Sequence, residues 1–254
     1  MLPTTGQGVE PGLYPQAFPL ATLFRTEPAP GPSIRYYVLG GATAWVVAEG
    51  GTKPDSGVAI TAKDLVLSRS PRPCVQRRVR RRRQLPAGLP PAGTHQRRGH
   101  QGENAEILAT FAATTGVLTG TGATATALDV VADAVAGQEA LTGATPSAVV
   151  VHPTVLAGIR KAKASTSGDY FADPFAGALT MIHGVKVVST PATPAGTAWV
   201  VGGPGVVIYR RGGITAEIGW TADDWSTNQR TMRVEERFAT AVVRPSMLTK
   251  LTLT

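Results

Sequence analysis

The sequence predicts an α+β protein with strands of mixed direction. Residues 185–218 contain four short, β-branched segments separated by Gly and Pro, a pattern typical of strands joined by tight turns. Residues 231–243 (TMRVEERFATAVV) form a longer alternating run that ends before Pro245, which predicts a long strand. Two helices are predicted upstream of these strands, at residues 124–136 and directly after Pro153.

The first quarter of the chain predicts extended structure. Residues 1–33 hold seven prolines, and because Pro fixes φ and removes a backbone donor, this stretch is predicted to be an extended arm. Residues 33–47 (SIRYYVLGGATAWVV) are rich in aromatic and β-branched residues, and predict a strand pair around Gly40 and Gly41. Residues 48–62 begin like a turn and then alternate, which favours a projecting hairpin.

The middle of the chain supplies the helical signals. Residues 103–108 (ENAEIL) have helical character. Within residues 124–136 the apolar side chains share one helix face, and Gly137 is predicted to end that helix. Residues 148–151 predict a buried strand, and Pro153 is placed in the first turn of the following helix, where Pro is tolerated.

One segment accounts for the basic character of the chain. The net charge is +8, from 25 Lys and Arg against 17 Asp and Glu, yet residues 69–102 hold ten arginines and no acidic residue. Without that segment the balance is 15 against 17. The rest is therefore a near-neutral globular chain, and the basic segment needs its own explanation.

The sequence predicts a soluble, intracellular product, or one released by lysis. Cys74 is the single cysteine, so neither an intrachain disulfide nor a Cys-based metal site is expected. No apolar run reaches the roughly 18 residues that span a bilayer. The N-terminus lacks the basic start and apolar stretch of a signal peptide. No membrane partner is expected.

No residue pattern in the sequence is typical of an enzyme. His152 and His183 stand beside apolar residues and are predicted to be structural. The carboxylate pairs at 223–224 and 235–236 point to opposite faces of an extended chain, and are assigned to a solvated turn and a strand edge. The GGPG at 202–205 lacks the Lys-Ser/Thr of a phosphate loop and predicts a β-turn. We therefore predict no catalytic residue, no cofactor and no metal.

Six motifs in order carry a resemblance to a known family. They are AEGGTKPDS (48–56), ENAEIL (103–108), SAVVVHPTVLAGIRKAK (147–163), GDYFADPFAG (168–177), HGVKVVSTPATPAGTAWVVG (183–202) and DDWSTNQRTMRVEERFATAVVRPSMLTKLTL (223–253). Together they resemble the major capsid proteins of tailed bacteriophages. The resemblance implies the Hong Kong 97-type capsid fold.

The resemblance also implies a division of the chain. An Arg/Pro-rich segment at 69–102 stands where the family has its long spine helix. The run 231–243 is expected to pack on the spine through Met232, Val234, Glu236, Phe238, Thr240 and Val242. The implied parts are an extended N-terminal arm (1–33), a strand and projecting E-loop region (34–68), a peripheral domain (103–123 and 221–254) and an axial domain (124–220).

The function implied by the resemblance is structural. The chain is expected to be a shell subunit, not an enzyme, that self-assembles into an icosahedral phage or prophage capsid enclosing double-stranded DNA. The expected partners are further copies of itself, the packaged DNA, and portal and scaffold or protease proteins. The expected location is the virion, and the bacterial host cytoplasm during assembly. Two alternatives stay open: an encapsulin-like nanocompartment shell, and a nucleic-acid-binding protein.

Residues 69–102 have three interpretations. Their length fits the family while their composition does not, which indicates a reading-frame excursion over roughly residues 67–101; another frame should then encode an amphipathic helix. Alternatively the segment is a solvated insert, or its arginines contact phosphates. Its prolines disfavour a continuous helix, so low order and weak assembly are expected. The candidate phosphate contacts are Arg77, Arg78, Arg80, Arg81, Arg82 and Arg83.

Some relatives join their subunits by a lysine–asparagine isopeptide bond. Lys53 and Asn228 match those two positions, and Glu235 matches the carboxylate that promotes the reaction. Such a bond needs a neutral amine, a nearby base and exclusion of water. Relatives that form no cross-link carry the same lysine and asparagine, so both alternatives stay open.

Overall fold

The computed structural model describes residues 19–40, 46–52, 59–67, 69–70, 92–123, 126–162, 179–213, 215–220, 226 and 231–253. Three helices lie in these ranges: α1 (Ala92–Ala113), α2 (Ala127–Thr142) and α3 (Pro153–Lys161). The strands of the same ranges are β1 (Arg25–Pro28), β2 (Ser33–Leu39), β3 (Ile60–Val66), β4 (Arg69–Ser70), β5 (Leu118–Gly122), β6 (Ala148–Val151), β7 (Met181–Ile182), β8 (Val185–Ser189), β9 (Thr197–Val201), β10 (Val206–Arg210), β11 (Thr215–Gly219), β12 (Thr231–Val242) and β13 (Leu248–Leu253).

The largest sheet has six strands in the order β5-β13-β9-β6-β8-β7. Its middle strands β6 and β9 are buried on both faces, as expected for a sheet that is covered on both sides. On one face Val149 packs with Val131 of α2 and Val155 of α3. On the other face Trp199 packs with Phe111 of α1. Helices α2 and α3 therefore cover one face of the sheet, and α1 covers the other.

A second sheet contains the long C-terminal strand. Its order is β1-β10-β12-β11, and β4 also pairs with β12. β12 runs antiparallel to β10, β11 and β4, whereas β1 runs parallel to β10. The prediction of a long antiparallel strand at 231–243 is confirmed. The four short strands predicted within 185–218, and the buried strand at 148–151, are confirmed as well.

The inward face predicted for β12 is confirmed where its side chains are described. Glu236, Phe238, Thr240 and Val242 are buried, at 4% exposed or less. Phe238 and Val242 lie in the same apolar core as Phe111 of α1, so this face meets the helix as expected. The side chains of residues 232 and 234 lie outside the described part of the strand.

β2 and β3 form a separate two-stranded ribbon, in which Ser33 lies opposite Val66 and Leu39 opposite Ile60. The second strand predicted after Gly40 and Gly41 falls mainly on residues 41–45, outside the described residues; the described strand β2 pairs with β3. Arg35 of β2 and Asp64 of β3 lie opposite each other and form an ion pair across the two strands. We call β2 and β3, with the described loop residues 46–52, the ribbon.

The position of α1 corrects the expectation for the Arg/Pro-rich segment. The helix begins at Ala92, directly after two prolines, and runs through ENAEIL to Ala113. Residues 92–102, which were expected to stand in place of the spine helix, therefore form the first turns of α1. Pro before a first turn is tolerated, and the Ala, Gln and Arg residues of 92–101 favour helix. Residues 71–91 lie outside the described residues, so the low order expected there stays a prediction.

α2 also extends further than predicted. It continues through Gly137 to Thr142 and ends at Gly143, whose φ of 67° is the left-handed conformation of a C-cap. Gly137 costs about 1 kcal/mol against Ala in a helix interior. The good helix formers that follow it, from Gln138 to Leu141, continue the helix past this position.

Sheet membership crosses the ranges that the resemblance implied for the two domains. β5 and β13 fall in the predicted peripheral ranges, yet they pair in parallel within the six-stranded sheet. β10 and β11 fall in the predicted axial range, yet both pair with β12. The physical reason is that β9 completes its backbone pairing with the C-terminal strand β13.

In the described part of the chain, no helix is both long and apolar enough to cross a bilayer.

Candidate functional site

A charged cluster lies where α1 meets the second sheet. Arg210 of β10 forms ion pairs with Glu103 of α1 and with Glu236 of β12. The two carboxylate side chains are only 1% and 4% exposed. Because a buried charge is very costly unless it is paired, the Arg210 guanidinium stabilises both carboxylates in this core.

The arginine side chain suits this position by its shape. A guanidinium is planar and presents five N–H donors in a fixed fork, so it can bind two acceptors at once. Its central carbon lies 5.9 Å from the centre of the Phe238 ring, within the range of a cation–π contact. Arg210 therefore joins one helix to two neighbouring strands through a single side chain.

Asn104, the next residue of α1, makes a second set of connections. Its Oδ1 accepts a hydrogen bond of 2.9 Å from the backbone N–H of Leu20, and its Nδ2 donates one of 3.5 Å to Thr190 Oγ1. Asn104 is fully buried. It thus connects α1 to the N-terminal segment and to the loop that follows β8. We call Glu103, Asn104, Arg210 and Glu236, with Leu20 and Thr190, the α1 junction.

The apolar side of α1 continues from the α1 junction. Ile107, Leu108 and Phe111 are buried one and two turns further along the helix, at the spacing of one helix face. The Phe111 ring lies 5.7 Å from Phe24, edge to face, and 5.7 Å from Trp199, distances that favour aromatic pairs. The ENAEIL motif therefore fixes one helix against both sheets and the N-terminal segment.

Sequence reasoning missed the α1 junction. It assigned the carboxylates at 235–236 to a strand edge and placed Glu236 on the inward face of the strand, but it did not predict that Glu236 is buried against Arg210. Arg210 stands in a polar YRRGG stretch that looks like a surface turn, and it lies 107 residues from Glu103. The sequence signal for the α1 junction was Glu236 itself, a charged residue on the more apolar face of β12.

The sequence-predicted site residues are only partly within the described ranges. Lys53, Asn228 and the arginines of 77–83 lie outside them, as do the carboxylates at 223–224. Glu235 is half-buried on β12, opposite Thr215, while the next residue, Glu236, points into the core. Neither the isopeptide bond nor the phosphate contact is tested by this geometry, and both stay predictions.

The remaining candidates have structural roles. His152 caps α3, where its Nδ1 accepts a 3.2 Å hydrogen bond from the N–H of Thr154. His183 Nε2 lies 3.1 Å from the carbonyl of Leu128. In the GGPG stretch the N–H of Gly203 donates to Ser147 Oγ at 2.8 Å, so it braces two loops. Among the described residues, no three His, Cys, Asp or Glu side chains form a group that could hold a metal ion.

The ribbon exposes apolar side chains that the single chain does not cover. Tyr37 is 56% exposed, Ile60 63% and Val66 70%. The strands are joined by the exposed pair Arg35–Asp64, at 2.7 Å, and the hydrogen bond from Arg35 lowers the pKa of Asp64. This pair therefore supports the ribbon at neutral pH and is lost as the pH falls through the lowered pKa. The opposite face of the ribbon packs through Ile34 and Leu65 on the core that includes Ala239, so only the face with the exposed apolar side chains is left uncovered.

A comparison with family models gives a match over residues 95–251, to the model described as phage capsid protein. This chain belongs to that phage capsid protein family. No curated protein matches it. The matched range contains the α1 junction residues of α1, β10 and β12, together with the strands of the six-stranded sheet except the last two residues of β13. The capsid subunit is therefore a structural component of a virion shell.

Solved structures agree with the family over the whole chain. A structure from Microbacterium phage Oxtober96 is 15% identical with a TM-score of 0.73, covering 100% of this chain and 96% of that one. The capsid of a native GTA particle is 14% identical with a TM-score of 0.72, covering 100% and 95%. A virus-like particle from Pyrococcus furiosus is 13% identical with a TM-score of 0.60, covering 92% of each. The Hong Kong 97-type capsid fold is confirmed.

Within the capsid subunit, Asn104→Ala should loosen the N-terminal segment. The substitution leaves the buried N–H of Leu20 without its acceptor, which costs about 1–3 kcal/mol. In this variant the amide hydrogen of Leu20 should exchange with solvent faster than in the wild type. Chemical unfolding should show a lower midpoint. Thr110→Ala, which removes an exposed side-chain bond to the Glu106 carbonyl on the same helix, is the control and should change stability by less than about 0.5 kcal/mol. An unchanged Leu20 amide in Asn104→Ala would contradict this role.

Proposed function

We propose that copies of the capsid subunit assemble into a closed icosahedral shell that encloses double-stranded DNA. The observation that carries this proposal is the uncovered ribbon on a subunit whose fold matches capsid structures along its full length. Tyr37, Ile60 and Val66 remain in water until another copy covers them. Shell subunits of this kind associate through many modest contacts that symmetry repeats.

The proposed architecture places two rigid units on one helix. The six-stranded sheet with α2 and α3 is the proposed axial domain, and the second sheet with α1 is the proposed peripheral domain. The α1 junction holds them at a fixed angle, because Glu103 and Asn104 sit side by side on α1 and reach different sheets. A shell of fixed curvature needs such a joint in each of its subunits.

The remaining parts of the proposal follow from the resemblance. Assembly takes place in the cytoplasm of the bacterial host, with a portal and a scaffold or protease protein as partners. The shell acts without catalysis and without a cofactor. A Lys53–Asn228 cross-link promoted by Glu235, and phosphate contacts by the arginines of 77–83, are retained as separate hypotheses.

An encapsulin-like compartment is the second candidate, since the Pyrococcus furiosus particle shares the fold. Its TM-score of 0.60, against 0.73 for the Microbacterium phage structure, favours the phage capsid. The contents of the particle distinguish the two functions. Particles recovered from the native host should protect double-stranded DNA from nuclease, whereas particles that hold a cargo enzyme and no DNA would overturn the DNA-enclosing function.

A further inference from the structure

β5 is an edge strand without the usual protection against pairing. It pairs with β13 on one side, and no residue in the described ranges pairs with its other side. Its sequence LTGTG contains neither a charge nor a proline, and the surrounding residues 114–126 contain none either. Sheet edges are normally protected by Lys, Pro, a bulge or a cover, because free N–H and C=O groups are a template for another strand.

A groove of about 600 Å³ runs beside this strand, between β5 and α2. Leu118 and Gly120 line it on the β5 side, and Gly137 and Leu141 on the α2 side. Leu141 is 65% exposed, so folding of the single chain leaves this large apolar side chain in water. We call this feature the β5 groove.

Gln138 gives the β5 groove a polar group that lacks a partner. Its side chain is 1% exposed, and neither Nε2 nor Oε1 has a hydrogen-bond partner among the described residues. The hydroxyl of Thr249, which also lines the groove, is in the same situation. A primary amide offers both a donor and an acceptor, which is what a peptide group requires.

We propose that the β5 groove binds an extended segment of a second copy of this chain, which adds a strand to the six-stranded sheet. β5 provides main-chain hydrogen bonds, the groove accepts alternate side chains, and Gln138 bonds a peptide group of the incoming segment. The inference rests on the proposed function, because a shell holds neighbouring copies at high local concentration.

The composition of the groove favours a copy of this chain over a charged partner. Asp133 is the single charged residue among those that line it, so the groove selects an uncharged extended segment. The capsid subunit exposes such a segment itself: Val46 and Val47 lie in the loop of the ribbon, and Val46 is fully exposed. Residues 37–48 contain no charge.

Gly137→Arg tests the proposal by filling the groove. A Cβ at Gly137 meets no atom within 4 Å, and Arg is a better helix former than Gly, so the fold is expected to remain intact. The dissociation constant for association of the subunits, measured by sedimentation, should rise at least about tenfold. Ala136→Arg is the matched control: it places the same charge on the neighbouring exposed position of α2, outside the groove.

Gln138→Leu separates docking from folding. Removal of an unpaired buried amide should raise the unfolding temperature of the monomer, while association falls. In wild-type particles, the outer amides of β5 should exchange more slowly than in the monomer. If Gly137→Arg associates like Ala136→Arg, or if β5 exchanges equally fast in particles, this inference is overturned while the shell function stands. A wild-type chain that stays monomeric overturns both.

Discussion

Replacing Arg210 with Met should destabilise the capsid subunit by about 3–5 kcal/mol, because it removes the guanidinium that pairs with two buried carboxylates. Glu103 and Glu236 are both nearly inaccessible to water, so hydration cannot replace the guanidinium. The loss should appear as a lower midpoint of chemical unfolding. Assembly should weaken as well, because α1 loses its charged contacts with the second sheet.

The exposed pair Arg35–Asp64 supplies the control for this prediction. Both side chains are 62% exposed, and such surface pairs contribute little to stability because water solvates both charges. Arg35→Met should therefore have a small effect on unfolding. The combination of Arg210→Met with Glu103→Gln and Glu236→Gln should recover part of the lost stability, since the buried charges are gone. Equal effects of Arg210→Met and Arg35→Met would contradict a buried role for the cluster.

Phe111→Ala should have an effect of similar size, about 3–5 kcal/mol. The ring is 1% exposed and lies between Phe24 and Trp199, so its removal leaves a cavity where the N-terminal segment, α1 and the six-stranded sheet meet. Unfolding by denaturant, followed by far-UV circular dichroism, reports the loss. Assembly should decrease in parallel.

Two further variants serve as controls for this second prediction. Phe111→Leu keeps most of the volume and should cost less than Phe111→Ala. Tyr37→Ala removes an aromatic ring that is 56% exposed, so it should change the stability of the monomer by less than about 0.5 kcal/mol while it weakens association through the ribbon. If Tyr37→Ala lowers monomer stability as much as Phe111→Ala does, the ribbon is part of the folding core and not an assembly surface.

Local patterns predicted the elements whose signals lie within one segment. The alternation in TMRVEERFATAVV gave β12 and its inward face, because one face of a strand is set by every second residue. Pro153 marked the start of α3, since Pro is suited to a first helical turn. The ordered set of motifs indicated the family, and through it the fold that the capsid structures share.

The features that could not be predicted from the sequence depend on contacts between residues that are far apart in the chain. β2 pairs with β3 across a loop of about twenty residues, a length at which turn chemistry no longer sets the register. The α1 junction depends on Arg210, which is 26 residues from Glu236 and 107 from Glu103. No periodicity connects such positions. The ends of α1 and α2 were missed because favourable neighbours outweigh a single Gly or an adjacent Pro.

Cryo-electron microscopy of the purified full-length chain, after concentration under assembly conditions, tests the central claim most directly. We predict closed shells with icosahedral symmetry, in which the ribbon of one subunit lies against its neighbour and the α1 junction is intact. A folded chain that stays monomeric under all conditions while it binds double-stranded DNA tightly would contradict the capsid account, and would favour a nucleic-acid-binding protein that acts through residues 77–83.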